Sequence, residues 1–324
     1  MRINDRIYGE FEITESVLID LINSPSMQRL KKISQFGMPD EYYFMKGYSR
    51  YDHCVGVMLL LRKLGAELKE QIAGLLHDVS HTAFSHVIDW VIGDPLKENY
   101  QDEVFAQFIE NSEIPNILDK YNFNYKEICK LDNFSLLENE LPNICADRVD
   151  YSLREIIDFE TLSNFKTILD SLINHRGKIV FNSVNAAEIF GMDFARCQRE
   201  HWAGAQAKAR YHVLAGVLKN ALSQNIIQVE DFWKTDKDVI DKLICSGQTE
   251  ILSGLELLKK RFEVRESSGA NSIILKKKFR YVDPYILMNG SLLALSEVSE
   301  NYKHSLEIQK QESKLINSME IIAK

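Results

Sequence analysis

Several things are scarce or absent in this chain of 324 residues. Its five cysteines, Cys54, Cys129, Cys145, Cys197 and Cys245, are scattered, odd in number and form no CxxC pair. Free thiols in a reducing cytoplasm are therefore expected. Long apolar runs are also missing: the longest, near Val57 to Leu61, is far too short to span a bilayer. The first residues, MRINDRIYGEF, are charged at once and contain no secretory apolar stretch. Positive charge is in deficit, with a formal net charge of −8, which disfavours a broad nucleic-acid-binding surface but leaves room for a local basic pocket. Internal repeats, low-complexity segments and Pro/Gly-rich linkers are absent too. What remains is an ordinary globular composition, 45% hydrophobic and 27% charged, long enough for one large domain or for a core with an appendage.

The apolar spacing is mostly helical. Residues 1–14 read as a short hairpin or extended arm. Glu15 to Asn23 has helical spacing, Ser24 and Pro25 then cap and start a second helix to Gln35, and the aromatic stretch 37–48 reads as a loop on the core surface. Arg50 opens a helix that is apolar nearly all round and ends at Gly65, so it is expected to be central. Further helices are expected over Lys69 to Asp78, Phe84 to Ile92 and Gln101 to Asn111. Residues 112–135 are polar and expected outside the core. Phe134 to Phe159 and Ser183 to Gln224 read as long helical regions, with a small strand at Arg176 to Phe181 between them. Short helices are expected over Gln228 to Phe262, then strands in SIILKKKF (272–279) and RYVDPYIL (280–287), then an amphipathic tail. The fold class is all-α with a few short β-strands at the N-terminus and in the C-terminal third. The composition shift near residue 225 divides a core, 1–225, from an appendage, 226–324.

One stretch stands out, Ala73 to His86, AGLLHDVSHTAFSH. If it is helical at its start, His77 and His81 share a face. Imidazole and carboxylate groups at the end of an apolar wall need partners, because burying them bare is costly. A metal ion is one such partner, since His offers a neutral nitrogen and Asp a hard anionic oxygen. A lone His-Asp pair is a weak sign, so its neighbours matter. His53 begins a core helix, and Asp147 lies in a third helical region. Together, His53, His77, Asp78 and Asp147 make a mixed nitrogen and oxygen set suited to a divalent Mn, Fe, Co, Ni, Zn or Mg. Asp150, three residues on, either orients a ligand or caps a salt bridge.

The ordered set RYDH (50–53), LLHDVSHTAFSH (75–86) and DRVDY (147–151) resembles the HD-domain phosphohydrolases. Within them it is most similar to the deoxynucleoside triphosphate triphosphohydrolases, the branch of the SAM-and-HD-domain dNTPase. PSMQRLKKISQFG (25–37), ARYHVLAGVLKNAL (209–222) and FRYVDPYIL (279–287) extend the resemblance over most of the chain. It implies a helical bundle with His53, His77, Asp78 and Asp147 as metal ligands. It also implies Arg50 facing the substrate phosphate, His81 and His86 lining the phosphate path, Tyr151 near the sugar, and Tyr211 near the sugar or base. The implied reaction is dNTP hydrolysis to deoxynucleoside and tripolyphosphate, and the implied partners are a nucleotide substrate, an allosteric nucleotide and further copies of the chain in a homo-oligomer.

The chemistry is coherent on its own terms. A triphosphate carries roughly four negative charges and needs cations, which a metal and Arg50 would supply at one end. Arg154 and the run Arg196, Arg199, Lys208 and Arg210 offer more, or are only a solvated helix face. His81 can protonate a leaving oxygen or hold an anionic one. His201 and His212 lie in the same basic region, and His175 and His304 read as solvated. Two departures bear on the reaction. The branch carries a further catalytic histidine followed by Glu where Glu98 to Glu103 has no His, so Asp102, Glu103 or His81 would have to act as proton donor. Tyr8 stands where many relatives have His. These departures keep open hydrolysis of a nucleoside monophosphate or cyclic nucleotide, and a nucleotide sensor without turnover.

Overall fold

The computed structural model of the chain describes residues 1–260, 262–266, 273–275, 279–312 and 317–323. The N-terminal arm is a hairpin, β1 (Arg2–Asp5) paired antiparallel with β2 (Gly9–Glu12). Helices α1 (Ser16–Ile22) and α2 (Pro25–Arg29) follow. Ser24 caps α2 by accepting from the Met27 amide, with Pro25 in the first helical position. The axis of the molecule is α3 (Arg50–Lys63), whose run from His53 to Leu61 is entirely buried. Ser49 and Asp52 form its capping box, and Gly65, at φ +75°, supplies the left-handed residue just past its end. Each fully buried aliphatic side chain in that run contributes roughly 1.5–3 kcal/mol.

Beside α3 lie α4 (Leu68–Leu76) and α9 (Ala146–Ile156). Between those two come α5 (Val87–Val91), α6 (Tyr100–Glu110), α7 (Ile114–Lys120) and α8 (Tyr125–Ile128). Then α10 (Leu162–Ser171) leads into β3 (Leu172–His175) and β4 (Lys178–Phe181), followed by α11 (Val184–Cys197) and α12 (Ala205–Ser223). The last third holds α13 (Asp236–Cys245), α14 (Thr249–Lys259), β5 (Phe262–Glu266), β6 (Ile273–Leu275), β7 (Tyr285–Met288), β8 (Ser291–Ala294), α15 (Leu295–Val298), α16 (Glu300–Glu312) and β9 (Asn317–Ala323). Strands β3 to β9 form the sheets β3-β4-β7-β8 and β5-β9-β6, and the β4–β7 pair is parallel. The class is therefore mainly helical with short strands, as expected. Among the described residues no helix is long and apolar enough to cross a membrane.

Two hydrophobic clusters organise the interior. One surrounds α3, α4, α9 and α11, and takes in Val282, Ile286, Leu295 and Tyr302 from the C-terminal third. The other joins Phe36, Met38, Tyr42 and Tyr43 to Phe84, Val87 and the inner faces of α12, α13 and α14. Residues after 225 are thus shared between both clusters.

The stretch 37–48 is a largely irregular segment packed on the core, and Met38 and Tyr42 enter the second cluster. Several expectations change. Residues 112–135 are not outside the core: Ile114 and Leu118 anchor α7 in the first cluster, Ile128 anchors α8, and Phe134 joins them. Phe134 to Phe159 is helical only from Ala146, since Pro142 cannot continue a helix through its missing amide hydrogen. Ser183 to Gln224 is broken at Gly204, where a Cβ would lie 2.4 Å from the Glu200 carbonyl oxygen. Ser272 and 276–278 of the first expected C-terminal strand lie outside the described residues, and the second begins only at Tyr285.

Candidate metal centre and its cavity

Three helix ends converge on one point. His53 comes from the first turn of α3, His77 caps the C-terminus of α4, and Asp147 lies in the first turn of α9. A nitrogen of each histidine and a carboxylate oxygen of Asp147 lie within 4.8 Å of one another. His53 Nε2 is 2.9 Å from Asp147 Oδ1 and 3.2 Å from His77 Nε2, and His77 Nε2 is 3.5 Å from the same oxygen. Asp78 borders the group, with Oδ2 3.6 Å from His53 Nε2 and Oδ1 3.7 Å from His77 Nε2.

The outer nitrogens show what the inner ones are for. His53 Nδ1 donates to Asp150 Oδ2 at 2.8 Å, and His77 Nδ1 donates to the Gly74 carbonyl at 2.8 Å. Both rings then direct Nε2 lone pairs at two carboxylates. Four acceptors facing one another in a buried space repel unless a positive charge lies between them. The titration of His77 reflects that demand. Burial alone would lower it, but Asp78 and Asp147 push it up to about 10. The donor set therefore fits a divalent cation.

Asp150 is fully buried and resolves the two roles open to it by playing both. It accepts from His53 and, at 2.8 Å, from Arg154 Nε, while Arg154 Nη2 donates to Asp5 Oδ2 at 2.8 Å. This network needs Gly56 on α3, because a Cβ there would meet Arg154 Nη2 at 1.9 Å.

The centre opens into a cavity of about 970 Å³, a size that suits a small-molecule ligand. Arg50, His81, His86, Tyr151, Lys208 and Tyr211 all line it. Arg50 is held by Asp78 Oδ2 and by Ser85 Oγ, the latter at 3.0 Å. The turn carrying Ser85 replaces the expected start of the fifth helix: Phe84 and Ser85 have φ of 64° and 46°. Asp236, from α13, holds that turn by accepting from the Phe84 and Ser34 amides, both at 2.8 Å. The sequence gives no sign of Asp236, since its partners lie some 150 and 200 residues away.

His77 and His81 do not share a helix face, for α4 ends at Leu76 and His81 follows a turn. His81 Nε2 still reaches to 3.4 Å from Asp78 Oδ1. Burial, then the Arg50 charge, push His81 down to about 3, so in this setting it is neutral rather than a ready proton donor.

Arg154 and Arg210 do not line the cavity. Arg154 is committed to Asp150 and Asp5, and Arg210 is buried beneath, donating to the Tyr42 carbonyl at 2.7 Å and to the Leu258 carbonyl. The Arg210 guanidinium is turned to backbone carbonyls and away from the cavity. Arg196 and Arg199 are exposed and pair with Glu200, and His212 is exposed. His201 does line the cavity: its Nδ1 meets Glu155 and its Nε2 is 2.8 Å from Tyr43 OH. Of the two acids offered as proton donors, Asp102 faces the cavity, whereas Glu103 turns away to accept from Asn99 at 2.9 Å. Glu138, absent from the sequence reading, also faces the centre. Its carboxylate, Cys145 and Asp147 form a second group within 4.8 Å, and burial, then Asp147, push Glu138 up to about 8.

The signature of the HD domain matches residues 50–151, the span from Arg50 to Tyr151 that contains all four converging residues. The chain belongs to the HD-domain family. An uncharacterized protein of Bacillus subtilis, YdhJ, is 39% identical over 97% of this chain and 97% of its own length. A Cordyceps militaris protein named metal-dependent phosphohydrolase cns2 is 38% identical over 50% of this chain and 46% of its own length. The deoxynucleoside triphosphate triphosphohydrolase SAMHD1 of Mus musculus is 26% identical over 89% of this chain and 45% of its own. This HD chain thus spans about half the length of those two relatives. A Bacteroides thetaiotaomicron phosphohydrolase of known structure, 17% identical, superposes over both whole chains with a TM-score of 0.71 and shares the fold. The HD family thus includes a relative named as a metal-dependent phosphohydrolase, and this chain carries a His/Asp group able to hold a metal ion.

Proposed function

We propose that the protein hydrolyses a phosphoester of deoxynucleoside triphosphates in the cytoplasm, releasing deoxynucleoside and tripolyphosphate. The observation that carries this reading is the His53–His77–Asp147 group at the wall of a cavity that also presents Arg50, Lys208 and several tyrosines. His53, His77, Asp78 and Asp147 would hold the cation. A divalent cation supplies Lewis acidity toward a phosphoryl oxygen and acidifies water. Arg50, fixed by Asp78 and Ser85, binds phosphate oxygens without having to reorganise. Neutral His81 orients an oxygen through one ring N–H. Tyr151 and Tyr211 offer ring faces and hydroxyls to sugar and base.

Asp102 is the proton donor in this reading. Partial enclosure, then the charge of Asp78, raise its carboxyl above the ordinary range, which favours the protonated form. Asp102→Asn is expected to lower kcat about a hundredfold with little change in KM, and a kcat within twofold of wild type would remove Asp102 from that role.

The cavity wall carries seven carboxylates against five Lys and Arg side chains. That excess favours a second reading, hydrolysis of a nucleoside monophosphate, whose charge is smaller. Purified protein incubated with dNTPs, NTPs and NMPs, under Mn, Mg, Co or Ni, separates the two by first product. Tripolyphosphate supports the first reading and orthophosphate the second. No product from any nucleotide, with metal bound, would sink both.

A further inference from the structure

One wall of the cavity is a three-residue ion cluster that the motif pattern does not include. Glu98 Oε1 accepts from Lys208 Nζ at 3.0 Å, and Glu98 Oε2 accepts from Arg280 Nη2 at 2.7 Å. The Glu98 and Lys208 side chains are 3% and 5% exposed, and all three residues line the cavity, as does His86. The three come from far apart, the loop after α5, the start of α12 and the segment before β7, so only the folded chain assembles them.

Glu98 is held there against local preference. Its φ is +53°, a left-handed conformation unfavourable for a non-glycine residue. The Asp94 carbonyl stabilises the bend by accepting from the Glu98 amide at 2.9 Å. Burial would raise the Glu98 carboxyl, but Lys208 and Arg280 hold it well below the usual carboxylate range. It is therefore an anion, and it occupies both cations with both of its oxygens. Carboxylate and phosphate compete for the same donors in the same geometry.

We infer that Glu98 is an internal competitor for the outer phosphates of the substrate, and so a specificity-determining residue that sets how many phosphates the cavity accepts. This rests on the phosphohydrolase reading of the cavity. A single phosphate at the metal centre leaves the Glu98 cluster undisturbed. A polyphosphate tail that reaches Lys208 and Arg280 must displace a carboxylate from them.

The test is calorimetric titration of the metal-loaded protein with inorganic tripolyphosphate and with orthophosphate. Glu98→Gln keeps the shape and removes the charge. It is expected to bind tripolyphosphate about tenfold tighter or more, with orthophosphate affinity changed less than about threefold, and Glu98→Gln with Arg280→Met is expected to lose that gain. Unchanged tripolyphosphate affinity in a folded Glu98→Gln protein, an equal gain for both anions, or a gain that survives Arg280→Met would each overturn the inference. Should Glu98→Gln not fold, Glu98→Asp withdraws the carboxylate from the two cations and is expected to bind tripolyphosphate several-fold tighter; wild-type affinity there overturns the inference as well. Turnover of nucleotides by the wild-type protein is scored separately. Its absence defeats the phosphohydrolase reading, while the anion affinities still decide Glu98.

Discussion

Replacing Asp147 with Asn is expected to cost the protein its metal and about a thousandfold or more of its turnover, with the fold retained. Asp147 Oδ1 lies within 3.5 Å of both imidazole Nε2 atoms, and Asp147 belongs to each of the two groups able to hold a cation among the described residues. Asn keeps the volume but removes the negative charge and places an amide of uncertain orientation against two nitrogens. The side chain is a quarter exposed to the cavity, so its neutralisation leaves no charge stranded in the core. Metal content after dialysis, turnover and the circular dichroism spectrum should be measured together. A variant that retains one tightly bound ion per chain and near wild-type turnover would show that Asp147 is not a ligand.

Arg154→Ala is expected to destabilise the protein by about 3–5 kcal/mol, because it strands two buried carboxylates. The sequence offers Arg154 as a cation for substrate phosphate, but the structure places it between Asp150, fully buried, and Asp5, 6% exposed. Removing it leaves Asp150 without its cation, in a space that α3 keeps open through Gly56. The loss should propagate to the metal, since the carboxylate that orients a ligating imidazole typically matters about 10–100-fold for affinity. Urea unfolding of wild type and variant measures the first effect, and a loss below about 1 kcal/mol would mean that water satisfies the two acids.

The parts legible in the sequence share one property: their information is local. The core helix α3 showed itself through an apolar run from Val55 to Leu61 between a capping box and Gly65. His77 and Asp78 were visible as adjacent polar residues at the end of an apolar helix, and His53 and Asp147 as further ligand types inside recognisable motifs. Composition and periodicity were sufficient for a mainly helical class. Even here local reasoning erred where a special backbone was needed, as at the left-handed Phe84 and Ser85, which shortened the expected helix.

Contacts between distant segments decided the rest. Which arginines face substrate depends on which cations the fold has already paired. Arg154 and Arg210 look available in the sequence, yet carbonyls and carboxylates from elsewhere in the chain hold them away from the cavity. Asp236, Glu98 and Arg280 gained their places from partners 110 to 202 residues away. The sequence by itself determined the fold class and singled out His53, His77, Asp78 and Asp147, which the fold brings close together, because helix periodicity and ligand type are properties of short segments. Only the tertiary structure decided which charges line the cavity, because that depends on how distant segments pack around each one.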